Sequence, residues 1–389
     1  VGESGYRNHH YVPQWYQRRF VQPGGQQELH YLSLSPLTVV GSDGKRRARP
    51  QRRRRPLRQC FAEEDLYTFR VGDRTSTELE SVFFGEVDRR GADAVAWWAD
   101  FDLRSLSEDS LHGLMEFMTT QKLRTPKGLE WLRAQLGNAT QIRLLRALAE
   151  LRTLYSTIWV ESIWQIASAT NTDTKFIVSD HPVTVYNREC GPRHESCRGA
   201  NDPDVRLHGS HTLFPLGRER ILILTNRSWI ENPYQSARGM RPNPDFYRDS
   251  AFNFLDVQTG RELSEREVLE INFIIKSRAF RFVAAGCEEW LYPERHVSKS
   301  DWSRFGDGYL CMPDPRTIHA GGGMVLSFDD GRSEAYDSFG HRPWESGYSG
   351  DGVPATSETL REFKQEFAEL FGDHPRGQPF DYRSHEPAG

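Results

Sequence analysis

The sequence predicts an α+β fold: a mixed sheet with a helical middle section and a small C-terminal β-hairpin plus helix appendage. Three observations carry this. Hydrophobic residues make up 37% of the 389 positions and aromatics alone 12%, enough for a sizeable core and too much for a disordered chain. Segments of strand character lie on both sides of a long helical stretch. Near the C-terminus, residues 323–328 and 333–336 flank Asp329-Asp330-Gly331, the signature of a tight hairpin. Residues 1–290 are expected to form the main domain. Residues 291–389 form an appendage packed on it or trailing from it.

In chain order, residues 6–20 read as an extended segment running into a short helix at 14–20, with Pro13 suited to its first turn. Residues 27–34 and 37–40 read as two strands, and an arginine-rich loop follows the Gly41–Gly44 turn. Residues 75–98 read as a helix capped by Ser76 or Thr77. Residues 107–123 form a second helix, capped by Ser107 and stopped by Pro126. Residues 128–170 read as two long helices or one broken one. Strands are then expected at 175–179, 184–186, 213–214 and 220–224. A Ser264-x-x-Glu267 capping box opens a helix that leads into a closing strand at 280–285. The last helix spans 357–371.

Composition narrows the setting. No apolar run is long enough to span a bilayer, and no apolar segment marks a secretory signal at the N-terminus. The five cysteines are odd in number and scattered, which suits reduced thiols and a cytoplasmic location. Cys190-x3-His194-x2-Cys197 matches no common zinc finger and has no evident fourth ligand. Net charge is −4, yet residues 45–58 hold nine basic residues in fourteen. The remainder carries 41 basic against 54 acidic residues, net −13. Such a segment, with Arg52, Arg53, Arg54 and Arg55 in succession, is composed like a nucleic-acid-binding arm. A solvated, proline-broken surface loop is the plainer alternative.

Three places break the usual burial rules. In the first, His9 and His10 stand before an aromatic cluster that ends in Arg18 and Arg19. In the second, Gln121 lies three residues past Met118 and seven past Leu114, on the apolar stripe of its helix, and Arg124 continues that side. A buried amide or guanidinium needs partners, and Glu80 and Glu86 on the preceding helix are the expected ones. In the third, the apolar run 176–178 ends in Ser179-Asp180-His181-Pro182, where the proline stops the ladder and leaves an acid and an imidazole at its end. These segments are expected to bring His10, Gln121, Arg124 and Asp180 into one polar cluster.

Taken together, the motifs resemble a bacterial family, the domain of unknown function 4238 family. Its opening pattern is matched by His10-Tyr11-Val12-Pro13, Tyr16, Arg18 and Phe20, with Gln17 where leucine is usual. Glu63-Glu64-Asp65-Leu66-Tyr67 is similar to its acidic stretch, and Glu80 and Glu86 to its repeated glutamates. Gln121, Arg124, Thr125 and Pro126 match Gln-x-x-Arg-Thr-Pro. Ser179, Asp180 and Pro182 match Ser-Asp-Asn-Pro, with His181 in place of asparagine. Phe214-Pro215-Leu216 and Ile271-Asn272 complete the likeness, which runs over about residues 8–286. The resemblance implies no settled reaction.

Two functional readings follow from the residues. In one, the protein is a metal-assisted phosphodiesterase or nuclease, with a place in bacterial defence. His10, Asp180 and His181 would do the chemistry, and Glu80, Glu86 and Asp180 would hold a divalent metal. Arg18, Arg19, Gln121 and Arg124 would position phosphate oxygens, and Arg52–Arg55 would hold the nucleic-acid backbone. In the other, it is a non-catalytic recognition or interaction protein with a buried polar network. No Walker A, GxGxxG or GxSxG pattern occurs, which disfavours nucleotide cofactors and the α/β-hydrolase elbow.

Overall fold

The structure, a computed structural model, describes residues 8–40, 42–64, 66, 69–71, 74–76, 85–102, 107–137, 141–242, 252, 254–318, 323–328, 330–337, 341–346, 348, 355–374 and 376. Strand β1 (Asn8–His10) leads into the short helix α1 (Gln14–Arg18). Two long antiparallel strands follow, β2 (Glu28–Val40) and β3 (Arg46–Pro56). Strand β4 (Ala62–Glu64) returns to pair with β1, and β5 (Phe69–Val71) pairs with β6 (Arg74–Ser76). The helical middle is α2 (Gly85–Ala99), α3 (Glu108–Arg124), α4 (Pro126–Leu136) and α5 (Gln141–Val160).

The second half is mixed. It contains β7 (Ile163–Ser168), β8 (Val178–Ser179), β9 (Thr184–Asn187), β10 (Ser210–Pro215) and β11 (Arg220–Thr225). Then come α6 (Arg227–Glu231), β12 (Gln258–Glu262), α7 (Glu265–Arg278) and β13 (Phe282–Ala285). A five-stranded sheet has the order β12-β7-β11-β10-β9, with only β12 parallel to its neighbour. A four-stranded antiparallel sheet has the order β3-β2-β13-β8. One contiguous core draws on both sheets and on α2, α3 and α7. The hairpin β14 (Gly323–Ser327) and β15 (Ser333–Asp337) precedes α8 (Ala355–Phe371). Helix α8 sets Leu360, Phe363 and Phe367 against Trp229 and Ile230 of α6. The mixed α+β class, helical middle and C-terminal hairpin with helix are thus as expected. No helix among the described residues is long and apolar enough to cross a membrane.

Several local expectations change. The arginine-rich loop is strand β3, paired antiparallel with β2 on both sides of one register shift. Pro50 stands in β3 and Pro36 in β2, both close to the one register shift, between Ser33 and Leu37. Proline removes a ladder donor, so it is tolerated at an edge strand and beside such an irregularity. The same shift merges the two expected strands at 27–34 and 37–40 into β2. Among the described residues helix α2 starts at Gly85, and residues 75–76, expected to open it, pair within β6 with β5. Ser76 is the last residue of β6, and residues 77–84, Thr77 and Glu80 among them, lie outside the described residues. The expected second long helix before residue 170 ends at Val160 and gives way to β7. That strand is buried on both faces, so it shows no alternation in sequence.

Candidate functional site

The residues that matter most stand where α3 meets α4 and where β8 ends. Thr125 is at once the residue after α3 and the N-cap of α4. Its side chain accepts the Gly128 N–H at 3.2 Å, and Pro126 occupies the first helical position. Gly128 has no room for a side chain: a Cβ there would collide with the carbonyl oxygens of Lys122 and Leu123. This close approach turns the end of α3 and the first turn of α4 toward the same buried point. Lys122 and Lys127 meet there, 5% and 3% exposed.

Both ammonium groups converge on Asp202, from the loop between β9 and β10. Lys127 Nζ lies 2.5 Å from Asp202 Oδ1, and Lys122 Nζ pairs with Oδ2. Backbone carbonyls complete their shells: Lys122 donates to Val183 O at 3.1 Å and Lys127 to Arg278 O at 2.8 Å. His181 supplies a third partner to Asp202, Nε2 to Oδ2 at 3.2 Å, while its Nδ1 lies 2.7 Å from Thr125 Oγ1. A carboxylate only accepts, so a neutral His181 carries its proton on Nε2 and donates to Asp202. Its Nδ1 then accepts the Thr125 hydroxyl proton. The result is a directed chain from the Gly128 amide through Thr125 and His181 to Asp202.

The electrostatics follow from burial. His181 is pushed down to about 3, chiefly by burial and then by the Lys122 charge, so it is neutral across the physiological range. Lys122 falls to about 8, again chiefly by burial, partly offset by Asp202. Asp202 is held well below the usual carboxylate range: burial opposes its charge, but the two ammonium groups outweigh it. Two lysines thus share one carboxylate, one positive charge in excess. Lys122, His181 and Asp202 of this cluster line a partly open cleft of about 150 Å³, together with Trp131, Tyr155 and Arg206. Arg206 is neutralised at that rim by a two-pronged pair with Asp204.

The residues expected from sequence divide among several places. Gln121 is fully buried, donates to Tyr11 O at 2.7 Å and accepts from Arg124 Nε at 2.9 Å. Arg124 reaches Asp88 at 2.8 Å, where Glu80 or Glu86 was expected. Glu86 is exposed and pairs with Arg89 three residues on, a normal pairing within one helix. Asp180 is 1% exposed, and its carboxylate closes the turn between α7 and β13. Oδ1 accepts Phe280 N at 2.8 Å, and Oδ2 accepts Arg281 N at 2.6 Å and Phe282 N at 3.0 Å. Burial pushes Asp180 up to about 6 despite those three amides. His10 lies beside Arg58 O at 3.2 Å, and burial lowers its pKa. Arg18 donates to Gln27, and Arg19 to the carbonyl of Leu216. Gln121 and Arg124 thus bond each other, and the Tyr11 whose carbonyl Gln121 holds is also acted on by the Asp180 charge, while the hydrogen bonds of His10 and Asp180 go to backbone groups rather than to that pair. Gln17, where the resembled family has leucine, is buried and bonds the carbonyls of Val12 and Cys60.

No three His, Cys, Asp or Glu side chains among the described residues gather as a metal site would need. His194 and Cys197 are engaged locally, with Ser196 and the Cys190 carbonyl. Sequence reasoning identified His181 and missed Lys122, Lys127 and Asp202. Lys122 did leave a signal, since it lies four residues past Met118 and seven past Met115, on the buried stripe of α3. Asp202, in Asn201-Asp202-Pro203, reads only as a turn.

Comparison with known proteins identifies the lineage. The chain belongs to the family described as Protein of unknown function (DUF4238), whose sequence profile matches residues 8–288. That span contains Lys122, Thr125, Lys127, His181 and Asp202. No curated protein and no solved structure matches the chain.

Proposed function

We propose that the protein is a recognition protein that binds a small molecule through one anionic group, a carboxylate or a phosphate, in the cleft above Lys122. The observation that carries this reading is the pair of buried lysines sharing the single carboxylate of Asp202. A buried cation without a full counter-charge is costly, and an incoming anion at the cleft side of Lys122 offsets that cost. Thr125 and His181 hold Asp202 on its inner side, so it cannot swing out to compete. Trp131 and Tyr155 offer apolar wall to the body of the ligand, the usual division of labour in small-molecule pockets. Lys122, lowered to about 8, is also the group that chemistry would recruit if the ligand reacts, as a base or nucleophilic amine.

The metal-assisted phosphodiesterase or nuclease reading, with its role in bacterial defence, has less behind it. Of its ligands, Glu86 points to Arg89 and Asp180 is bound on both oxygens by backbone amides. What supports a nucleic-acid partner is the arginine-rich strand, not a metal centre.

The test is thermal unfolding with phosphate, acetate and a panel of organic phosphates and carboxylates, against chloride at equal ionic strength. At least one anion is expected to raise Tm in proportion to the logarithm of its concentration, as linkage requires. Lys122→Met leaves Lys127 and Asp202 matched one to one. It should keep the fold and lose that rise. A parent that responds to none of the anions, or a Lys122→Met variant that responds as the parent does, defeats the proposal.

A further inference from the structure

Strand β3 is a second feature that the cleft does not explain. It lies at the edge of the four-stranded sheet and carries seven arginines in eleven residues. Edge strands are commonly guarded against pairing with other chains by a charge or a proline. Seven arginines exceed that need. No acidic residue occurs between Asp43 and Glu63, so the strand is not neutralised along its own length. Its ion pairs are few: Arg52 with Glu288, Arg54 with Glu28, and Arg47 with Asp43 in the preceding turn. Lys45, Arg46 and Arg53 are exposed and have no acidic partner among the described residues.

The geometry makes this an arm. Strand β2 pairs with β13 only through His30–Ser33. Beyond that, Leu37–Val40 pair with Arg46–Arg49 and with no third strand among the described residues, which leaves a two-stranded ribbon. Val39 and Val40 face Arg47 and Arg46 across it in register, and are 42% and 61% exposed. Exposed apolar side chains beside guanidinium groups suit a partner that offers both phosphates and base edges. A two-stranded ribbon also has the width that the DNA major groove, about 12 Å across, admits.

We infer that the β2–β3 ribbon is a nucleic-acid arm that sits in the groove of a duplex and contacts its phosphates through Lys45, Arg46 and Arg53. The surface is separate from the anion cleft, and the rest of the chain, net −13, keeps the duplex off the body.

The experiment is fluorescence anisotropy of the full chain with a labelled DNA duplex over a salt series. The parent binds at low salt, and the logarithm of its affinity falls linearly with the logarithm of salt. The triple variant Lys45→Ser, Arg46→Ser, Arg53→Ser binds more weakly, with a slope flatter by about 2.7, roughly 0.9 for each phosphate it no longer neutralises. Its Tm matches the parent's, because the three side chains are exposed. The inference is overturned if the parent does not bind at low salt, if the variant keeps the parent's slope, or if polyglutamate competes as well as duplex. Tighter binding to single strands than to duplex overturns the groove geometry.

Discussion

Asp180 is buried and Asp202, which His181 bonds, is 9% exposed in its side chain, yet their environments drive them in opposite directions. Asp180 is held by three backbone amides, which are dipoles, and its carboxyl rises to about 6. Asp202 is held by two full charges, and its carboxyl falls well below the usual range. Dipoles from neutral amides do not offset the loss of hydration here; two ammonium groups do. The difference separates architecture from function. The Asp180 site is closed: its oxygens go to the turn that joins α7 to β13. The Asp202 site is unbalanced, because its partners carry more charge than it can cancel, and it faces a cleft.

The largest effect is expected at Asp202. Asp202→Asn leaves Lys122 and Lys127 buried around a neutral amide, and breaking a buried pair this way costs about 3–5 kcal/mol. Urea unfolding measures it. The loss should shrink above pH 8, where Lys122 gives up its proton, and Lys122→Met in the same chain should recover much of it. A loss below about 1 kcal/mol, within the range of an exposed ion pair, would mean that the charges are not held as described.

The next effect is a pH dependence at Asp180. Its folded pKa, about 6, lies above the ordinary 3.8, so the folded state binds the proton more tightly than the unfolded chain. The contribution of Asp180 to stability is therefore full below about pH 4 and is lost as pH rises through about 6, by up to roughly 3 kcal/mol for a shift of this size. The buried histidines work the other way. His181 and His211, both lowered to about 3, cost stability as pH falls below the ordinary histidine value. They are common to parent and variant, so comparison with Asp180→Asn cancels them. The parent's advantage over Asp180→Asn should grow as pH falls from 7 to 4. An advantage that shrinks would mean that the three amides outweigh burial, and that the two aspartates are alike.

How much of this was readable in sequence depends on whether the signal is local. Caps and capping boxes are local, and Ser107, Ser264 and Glu267 mark their helices as expected. Gln121 and Arg124 were legible because a polar residue on an apolar stripe implies a buried partner. The identity of that partner, Asp88, was not, since several acids lie on α2. Strand β3 was hidden by its own charge: a strand at a sheet edge need not alternate, and its prolines mimic a loop. Asp202 was hidden for a different reason. Its partners lie 75 and 80 residues away, and only the tertiary fold brings them together.

The smallest effect sharpens the role of His181. Thr125→Val keeps the shape of the side chain and removes the hydroxyl. Two bonds go with it: the cap to Gly128 N and the donor to His181 Nδ1. Loss of a threonine cap typically costs about 1 kcal/mol, and an unpartnered buried imidazole nitrogen adds roughly another 1–3 kcal/mol. If the chain from Thr125 through His181 serves to hold Asp202 for ligand binding, the anion-induced rise in Tm should fall more than the cap alone explains. Thr125→Ser, which restores the hydroxyl without the methyl group, should recover both stability and response. If it recovers stability while the response stays lost, or if Thr125→Val leaves the response intact, His181 acts only as packing beneath Asp202, and the orientation of that carboxylate rests on the two lysines alone.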